Sequence, residues 1–274
     1  MRLSIITPCR NAAPLLERTL HSVAACGREM KVQHLIVDGA STDGTLALLQ
    51  SASDAEFISE PDAGMYDALA KGLKIASGDI VGYLNAGDVL MPNAPEILAE
   101  IFSHDGVDWV TGYSTHVNVR GQITATWKPP RYRREFVGNG FYGNPKYPFA
   151  IQQESTFWSS RLNAKIDLNR LRRFRLAGDY FLWTQFAESS ELHSVMTLLG
   201  GFLIHPGQLS EHVAAYAQEI SSEVRSATTR EEFTAFWETR CPSALRSFLY
   251  QFTLPKSQAK IFEYDHRGGR WIWR

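Results

Sequence analysis

The sequence predicts an α/β protein in which helices flank a mostly parallel β-sheet. In the first half of the chain, short apolar runs alternate with segments whose apolar residues recur at helical spacing. Strand–helix–strand units of this length form right-handed crossovers, which place successive strands in parallel. Beyond Gly207 the pattern becomes helical. The sequence therefore predicts one α/β domain with a helical C-terminal extension.

Residues 1–92 contain the clearest alternation of strands and helices. Apolar runs predict strands at residues 3–7, 34–38, 55–60 and 79–85. Helical spacing predicts helices at residues 14–26, 41–50 and 65–76. Pro14 suits a first helical turn, and Ser41, Thr42 or Asp43 can cap the second helix.

Residues 93–210 have a different sequence pattern from residues 1–92. Two strands are expected to fold about Arg120-Gly121, a strand is expected within 151–159, and a helix begins within 176–188. Between them lies a long segment, 129–149, rich in glycine, proline, aromatic and basic residues, which we expect to be a lid or binding loop. We therefore divide the chain into a domain of residues 1–210, with halves at 1–92 and 93–210, and an extension of residues 211–274.

Composition excludes several classes of protein. The 28 basic and 29 acidic residues nearly cancel, which argues against a broad nucleic-acid-binding surface. No stretch has the roughly 18 apolar residues of a membrane span, and the N-terminus reads as a strand and not as a signal peptide. The three cysteines are far apart and lack metal-type spacing. We expect a reduced, cytoplasmic setting.

Polar clusters follow all four of the first strands. They are residues 7–11 (TPCRN), 38–43 (DGASTD), 60–64 (EPDAG) and 85–88 (NAGD). Because ligands of open α/β sheets bind beyond the carboxyl ends of the strands, these clusters are expected to meet in one site.

The motifs of other enzymes with parallel sheets are missing, including the glycine fingerprint of dinucleotide folds, the phosphate-binding P-loop, the Gly-x-Ser-x-Gly elbow and His-Glu-x-x-His. Instead the chain contains SIITPCRN, LIVDGASTDGT, SEPDAGMYDALAKGLKIASGDIVGYLNAGD, QQESTFW and LAGDYFLW, in this order. In their order and spacing these motifs resemble family 2 glycosyltransferases of the bacterial polysaccharide-assembly type. The resemblance covers about the first 210 residues.

The resemblance implies a GT-A fold, which is Rossmann-like, and an inverting enzyme. Such an enzyme moves a sugar from a nucleotide-sugar donor to a hydroxyl of a glycan or lipid-linked acceptor. On this resemblance Asp38 accepts hydrogen bonds from the nucleotide base, and Thr7, Pro8 and Asn11 surround the nucleoside. The further donor-binding residues are Arg10, Ser41, Asp62, Asp67 and Asn85. Alternatives stay open: Asp38 can simply open a turn with Ser41, Arg10 can form a surface ion pair, and Asp67 can be a solvated helix residue.

The resemblance also implies a divalent metal, Mg²⁺ or Mn²⁺, bound by Asp88. The family usually carries Asp-x-Asp here, whereas this chain has Asn85-Ala86-Gly87-Asp88. A single carboxylate can suffice when phosphates and waters complete the octahedron. The alternative is a weak or absent metal, with Arg131, Arg133 or Arg134 neutralising the leaving group. His205 or His212 is a further possible ligand.

Asp179 is the expected general base, because inverting transfer needs one group to take the proton of the acceptor hydroxyl. Its place at a helix start favours the ionised form. The alternative is a capping aspartate without a catalytic role. Gln153 and Glu154 are expected on the acceptor side.

Two other functions remain open at this point. A nucleotidyltransferase can use a similar sheet, although TPCRNAAP is a poor version of its glycine-rich, basic loop. A degenerate protein that only binds a nucleotide or a partner is the non-enzymatic alternative. The tail RGGRWIWR has the composition of an interfacial membrane anchor, and a packed or disordered end is equally compatible with it.

Overall fold

The computed structural model describes residues 1–26, 30–144, 147, 149–240 and 255–274. The strands and helices expected in the first half are all present. The strands are β1 (Arg2–Cys9), β2 (Lys31–Asp38), β3 (Glu56–Ser59) and β4 (Ile80–Tyr83). The helices between them are α1 (Ala13–Ala24), α2 (Thr45–Ser51) and α3 (Met65–Ile75). The α/β class predicted from the alternation is confirmed.

The second half adds shorter elements. Its strands are β5 (Val89–Leu90), β6 (Trp109–Thr111), β7 (Ser114–Val117), β8 (Ile123–Trp127), β9 (Thr156–Ser159), β10 (Leu192–Val195), β11 (Gly200–Leu203), β12 (Ile261–Asp265) and β13 (Arg270–Trp273). Its helices are α4 (Ala94–Phe102), α5 (Arg134–Gly138), α6 (Leu168–Leu171), α7 (Gly178–Ala187), α8 (Val213–Ser221) and α9 (Thr229–Arg240). Strands β7 and β8 fold about Gly121, which has a positive φ of 78°, as the Arg120-Gly121 turn predicted.

The main sheet of the described residues runs in the order β13-β12-β10-β6-β9-β4-β1-β2-β3. Strands β4, β1, β2 and β3 are parallel neighbours, and β9 is antiparallel to both β4 and β6. The sheet is thus continuous from the half at 1–92 into the half at 93–210. Helix α3 covers the first four strands: Leu69 and Leu73 pack in one buried cluster with Ile6, Leu35 and Val37.

A second, four-stranded sheet in the order β5-β11-β7-β8 lies beside the main sheet. Strand β11 is antiparallel to β5 and parallel to β7, and β7 is antiparallel to β8. Strand β5 directly follows the turn of residues 85–88, and a short 3₁₀ helix, Gln153–Ser155, directly precedes β9. The second sheet therefore borders the end of the main sheet where the polar clusters lie.

The segment 129–149 is not the open loop that its composition suggested. Residues 134–138 form α5, and Tyr132, Phe136, Phe141 and Tyr142 are all buried in the main core. Burial of so many aromatic side chains outweighs the turn-forming residues between them. Lys146, one of the basic residues of this segment, lies outside the described residues.

The prediction of a helical extension at 211–274 is correct for α8 and α9 and wrong for the tail. Strand β12 pairs in parallel with β10, and β13 folds back on β12, so that the tail extends the main sheet. The alternation of buried Phe262 and Trp271 with more exposed neighbours, and the Gly269 turn with φ 63°, favour a hairpin over a helix. Residues 241–254, which include Cys241, lie outside the described residues.

In the part of the chain that the structure describes, none of the helices combines the length and apolar character needed to cross a membrane. Cys9 and Cys26 are free thiols.

Candidate active site

A cleft of about 1030 Å³ opens at the carboxyl ends of β1 and β4, between the two sheets. Nine of the residues singled out from the sequence line it: Pro8, Arg10, Asn11, Asp62, Asn85, Asp88, Gln153, Glu154 and Asp179. Three of the four polar clusters, at residues 7–11, 60–64 and 85–88, therefore meet in this cleft, as the parallel topology predicts, whereas no residue of the 38–43 cluster lines it. Four of the expected donor-binding residues, Thr7, Ser41, Asp38 and Asp67, do not line this cleft.

Thr7 lies inside the sheet. It is fully buried, and its hydroxyl is 2.9 Å from Nε2 of His34 on β2. Burial lowers the pKa of His34 to about 3, so this imidazole is neutral and the pair is an ordinary buried hydrogen bond. Thr7 does not line the cleft, because its side chain is buried and paired with His34. A contact of Thr7 with the donor stays a prediction.

Asp38 ends β2 and organises the turn after it. Its Oδ2 accepts from the Ser41 N–H at 3.1 Å and from the Ser59 hydroxyl at 2.6 Å, and its Oδ1 accepts from the Ser41 hydroxyl. The remaining contact of Oδ1 is the Cys9 thiol, 3.9 Å away. The alternative of a turn opened by Asp38 together with Ser41 is thus present in the structure. The lone pair of Oδ1 that faces Cys9 accepts only from the thiol, which is a weak hydrogen-bond donor.

The Cys9 thiol lines the cleft in front of Asp38. Burial raises its pKa to about 12, and the Asp38 charge raises it further in the same direction. The thiol therefore stays protonated and is neither a nucleophile nor a metal ligand at neutral pH.

Asn11 ties the first polar cluster to the second. It adopts a left-handed conformation with φ 49°, which asparagine tolerates better than most residues. Its side-chain oxygen accepts from the Thr42 N–H at 2.8 Å, and its own N–H donates to the Ser41 hydroxyl at 2.7 Å. Ser41 thus shapes the rim of the cleft through Asn11.

Asp62 and Asp67 make different contacts. Asp62 lines the cleft, and its Oδ1 accepts from the Gly64 N–H at 2.9 Å. Asp67 instead binds Arg172 at 3.1 Å and the Ala63 N–H at 3.1 Å. Asp67 does not line the cleft, because Arg172 and the start of α3 bind its carboxylate. A contact of Asp67 with the donor stays a prediction.

Asp88 closes the turn that follows β4. Its side chain is 3% exposed, its Oδ1 accepts from the Leu203 N–H at 2.9 Å, and its Oδ2 accepts from the Asn85 N–H at 3.2 Å. The first of these bonds joins the turn to β11 in the second sheet. Asp88 therefore stabilises the turn after β4 and joins it to the second sheet.

Glu154 is the partner of Asp88. It is buried, and its carboxyl group is hydrogen-bonded to that of Asp88. Burial raises the pKa of Glu154 well above its ordinary value, and the charges of Asp88 and Asp179 raise it further. Burial also raises the pKa of Asp88, to about 7. Two buried carboxyl groups in contact cannot both ionise easily, so Glu154 holds the proton and donates to Asp88.

Asn85 and Gln153 form a second polar pair on the cleft wall. The Asn85 side-chain N–H donates to Gln153 Oε1 at 3.2 Å, and the Gln153 amide donates to the Tyr83 carbonyl. The Asn85 Oδ1 is buried and has no hydrogen-bond partner. Such an atom carries a desolvation cost until a donor or a cation reaches it.

These oxygens fit a cation only in part. Among the described residues, no group of three or more His, Cys, Asp or Glu side chains is placed to hold a metal ion. Asp88 keeps one free lone pair on each oxygen at most, and the unpaired Asn85 Oδ1 is a neutral oxygen ligand of the type that Mg²⁺ accepts. The site fits a cation that arrives with a diphosphate, and it does not fit one held by the protein alone.

The arginines considered as an alternative to a metal lie elsewhere. Arg133 is 4% exposed and binds Glu238 and, at 2.5 Å, the Pro255 carbonyl. Arg131 donates to the carbonyls of Ala259 and Arg274, and Arg134 pairs with Glu191. Arg131 and Arg133 thus bind groups of the C-terminal region, and none of the three arginines lines the cleft. Their positions do not favour the alternative in which they neutralise a leaving group.

Of the two late histidines, His205 lines the cleft and His212 does not. The Nδ1 of His205 lies 3.0 Å from the Pro206 carbonyl, which can only accept, so Nδ1 carries the proton. Its Nε2 therefore keeps a lone pair.

Asp179 lies in the first turn of α7 and is partly exposed to the cleft. The Tyr216 hydroxyl is 3.2 Å from its Oδ1 and 3.1 Å from its Oδ2, and the Tyr180 N–H donates to Oδ1 at 2.7 Å. Burial nevertheless raises the pKa of Asp179 to about 6, against the lowering effect of these hydrogen bonds. A carboxylate with this pKa is ionised at neutral pH and is a stronger base than a surface aspartate.

Several residues of the cleft were not identified from the sequence. Tyr66 donates to the Leu176 carbonyl at 2.7 Å and lies 3.5 Å from Asp179. Tyr216 comes from α8, within the region assigned to a separate extension, and Trp127 comes from β8. No local signal marks these aromatic residues, because each reaches the cleft only through packing of distant elements.

Residues 4–164, more than half of the chain, match the family model described as glycosyl transferase family 2. An uncharacterized glycosyltransferase of Mycobacterium tuberculosis is 35% identical over 100 residues, which are 36% of this chain and 37% of that protein. A poly-β-1,6-N-acetyl-D-glucosamine synthase of Staphylococcus aureus is 31% identical over 107 residues, which are 38% of this chain and 26% of that protein. The chain thus matches between about a quarter and little more than a third of the length of these relatives.

A solved structure shows the same fold. It is the mannosyltransferase of Pyrobaculum calidifontis in complex with GDP-Man and Mn²⁺, with a TM-score of 0.58 at 17% identity, covering 82% of this chain and 65% of that one. The expected GT-A fold is confirmed by this likeness. The family model, the fold and the order of the motifs agree, and this chain belongs to glycosyl transferase family 2.

Proposed function

We propose that this protein transfers a sugar from a nucleotide-sugar donor to a hydroxyl group of a glycan acceptor, with inversion at the anomeric carbon. The observation that carries the proposal is the meeting of Asp88 and Asp179 in one cleft at the carboxyl ends of parallel strands. Loops 8–12 and 62–64 supply the donor side of the same cleft. This is the position where α/β sheets bind their ligands.

The nucleoside would lie along Pro8, Asn11 and Asp62. The base would donate to Asp38 at the Oδ1 lone pair beside the Cys9 thiol, because the thiol is a weak donor that a base N–H can displace. Arg10 is exposed at the rim of the cleft, and within the described residues no ion pair occupies it. Its guanidinium would bind the diphosphate.

Asp179 would act as the general base. The acceptor oxygen attacks the anomeric carbon, the bond from that carbon to the diphosphate oxygen breaks, and the proton of the acceptor hydroxyl passes to Asp179. Tyr216 and Tyr66 hold the carboxylate in place. A base fixed in this way loses little entropy when the acceptor arrives.

A divalent cation, Mg²⁺ or Mn²⁺, would be held by Asp88 together with the oxygens of the donor diphosphate. Asn85, through its unpaired Oδ1, and His205, through Nε2, are the further ligands that the cleft offers. When bound, such a cation acts as a Lewis acid on the departing diphosphate. The proposal is supported by the Mn²⁺ and GDP-Man named with the Pyrobaculum structure.

Gln153 and Glu154 would define the acceptor side. Glu154 lies close enough to both Asp88 and Asp179 for each charge to raise its pKa. Held protonated, Glu154 contributes a neutral donor and not a second base. Its retained proton leaves Asp179 as the base of this cleft.

The acceptor class is proposed from the relatives and from the tail. The poly-β-1,6-N-acetyl-D-glucosamine synthase supports a growing glycan as the acceptor. For a lipid-linked glycan, the hairpin of β12 and β13 would contact the membrane through exposed Tyr264 and Trp273 and the arginines beside them. Trp271 cannot take part, because it is buried in the core. Sedimentation with vesicles containing anionic lipid tests this contact, and equal recovery of a Trp273→Ala variant in the pellet would contradict it.

The decisive experiment is an assay for free nucleoside diphosphate. The purified protein is incubated with UDP-N-acetylglucosamine, UDP-glucose, GDP-mannose and further nucleotide sugars, with and without Mn²⁺. Slow hydrolysis of at least one donor, lost in Asp179→Asn, is expected. Binding without hydrolysis for every donor would favour a degenerate protein, and pyrophosphate-dependent chemistry would favour a nucleotidyltransferase.

A further inference from the structure

One face of the second sheet forms a wall of the cleft. Directly opposed residues of neighbouring strands share a face. Ser114 of β7 is opposite Trp127 of β8, and His116 of β7 is aligned with Phe202 of β11. All four side chains line the cleft that also contains Asp179.

Trp127 is the exposed member of this wall. It is 52% exposed, although it is the largest apolar side chain on the face. Its ring meets that of His116 edge to face, with centroids 4.8 Å apart, and His116 in turn lies 5.9 Å from Phe202. The contact with His116 supports one side of the indole, while about half of the surface of Trp127 stays exposed to solvent.

A single exposed tryptophan is ordinary on a protein surface. The setting of Trp127 is what distinguishes it, because it stands in a concave site among hydrogen-bonding groups. The wall carries no carboxylate, and burial lowers the pKa of His116, so this imidazole is neutral at pH 7. Lys128, which directly follows β8, also lines the cleft and carries a positive charge.

This chemistry suits a neutral sugar ring. A hexopyranose has an apolar face of C–H groups and a rim of hydroxyl groups. The indole offers a flat apolar surface with a negative quadrupole face, and Ser114 offers a hydroxyl beside it. The proposed nucleotide site uses other residues of the cleft, Pro8 and Cys9 at the end of β1 and Asn11 just after it.

We propose that Trp127 is the platform on which a neutral hexopyranose ring of the glycan acceptor stacks. The inference rests on the proposed function and names a binding residue for its acceptor. Trp127 positions the acceptor sugar on the second sheet, and Asp179 receives the proton of its hydroxyl.

The test measures oligosaccharide binding by calorimetry, in the presence of the nucleoside diphosphate that the wild type binds best. The probes are the neutral tetrasaccharides of glucose, mannose, galactose and N-acetylglucosamine. The variants are Trp127→Ala and Trp127→Phe, with Trp273→Ala as the control, because Trp273 is equally exposed at 52% but lies on β13 against Lys260.

We expect at least one probe to bind the wild type and Trp273→Ala alike. Its dissociation constant should rise about tenfold in Trp127→Ala, which corresponds to about 1.4 kcal/mol. Trp127→Phe should lie between them, since it keeps an aromatic face. In the transfer reaction, KM for the acceptor should rise while kcat changes little, as for uniform binding.

Equal affinity of Trp127→Ala and the wild type, or no binding of any of the four probes, would overturn the platform. So would a parallel loss of nucleoside diphosphate affinity, which would assign Trp127 to the donor. Donor hydrolysis is measured in the same preparations. Its absence in the wild type counts against the proposed function, whereas the saccharide result decides the platform alone.

Discussion

The hydroxyl of Tyr216 lies within hydrogen-bond distance of both carboxylate oxygens of Asp179, at 3.2 and 3.1 Å. The two residues come from different helices, α8 and α7, separated by 37 positions. The base proposed from the first 210 residues is therefore positioned by the region beyond them. Tyr216 of the C-terminal region thus lines the same cleft as Asp179.

The first prediction concerns the base itself. Asp179→Asn keeps the size of the side chain and an oxygen for Tyr216, but it removes the proton acceptor. Turnover should fall about 10²–10⁴-fold, the usual contribution of a general base. Donor affinity, measured by calorimetry, should change by less than about twofold, because no donor contact is removed.

Asp54→Asn is the matched control for this change, since Asp54 is exposed and lies outside the cleft. It should keep wild-type turnover. A large loss of donor binding in Asp179→Asn would show that this carboxylate belongs to the donor site.

The second prediction is the acid limb of the pH profile. Burial raises the pKa of Asp179 to about 6. Below this pH the carboxyl group is protonated and cannot accept a proton, so kcat/KM should fall about tenfold per pH unit. An ordinary aspartate would place the limb near pH 4, and a limb at that value would contradict the assignment.

Tyr216→Phe provides the third prediction. The Tyr216 hydrogen bond stabilises the charged form of Asp179 and lowers its pKa. Removal of this hydrogen bond should shift the acid limb to higher pH. The variant leaves in place the other titratable side chains near this carboxylate, which include Tyr66, Tyr83 and Glu154. A purely structural loss would reduce turnover equally at every pH. Tyr264→Phe, on the exposed β12 hairpin, is the control and should leave the profile in place.

The fourth prediction concerns the cation. Because the protein offers one carboxylate at the β4 turn, Mn²⁺ alone should leave Tm unchanged. Mn²⁺ together with a nucleoside diphosphate should raise Tm above the value with the diphosphate alone, since ligand binding to the native state stabilises it. Asp88→Asn should remove this extra shift. The same Mn²⁺-dependent shift in wild type and Asp88→Asn would refute a metal role for Asp88.

The fifth prediction tests the packing beneath the cleft. A Cβ on Gly200 would lie 1.9 Å from the Glu154 carbonyl oxygen, so Gly200→Ala must displace backbone. We expect a loss of at least about 2 kcal/mol of unfolding free energy and a fall in Tm of roughly 4–8 °C. Gly138→Ala has no atom within 4 Å of the added Cβ and should keep its Tm. Equal melting temperatures for the two variants would show that β11 does not press on Glu154.

The sequence by itself determined the parts of the molecule that depend on neighbouring residues. Apolar periodicity determined β1 to β4 and the helices between them, and their parallel topology predicted that the clusters containing Asp62 and Asp88 meet. Asp179 was expected in the same site only from the resemblance to family 2 glycosyltransferases. Gly121 marked the turn between β7 and β8. Each of these signals extends over about ten residues, which is the range over which periodicity and turn chemistry act.

Only the tertiary structure decided which partners the polar side chains contact. Thr7 points to His34 inside the sheet, Asp67 is taken by Arg172, and Asp88 is bonded to Leu203, 115 positions away. The tail, read as helix or membrane anchor, becomes two strands because β10 offers it an edge. These outcomes depend on partners that are distant in sequence, and strand formation in particular follows the neighbouring strand more than local preference.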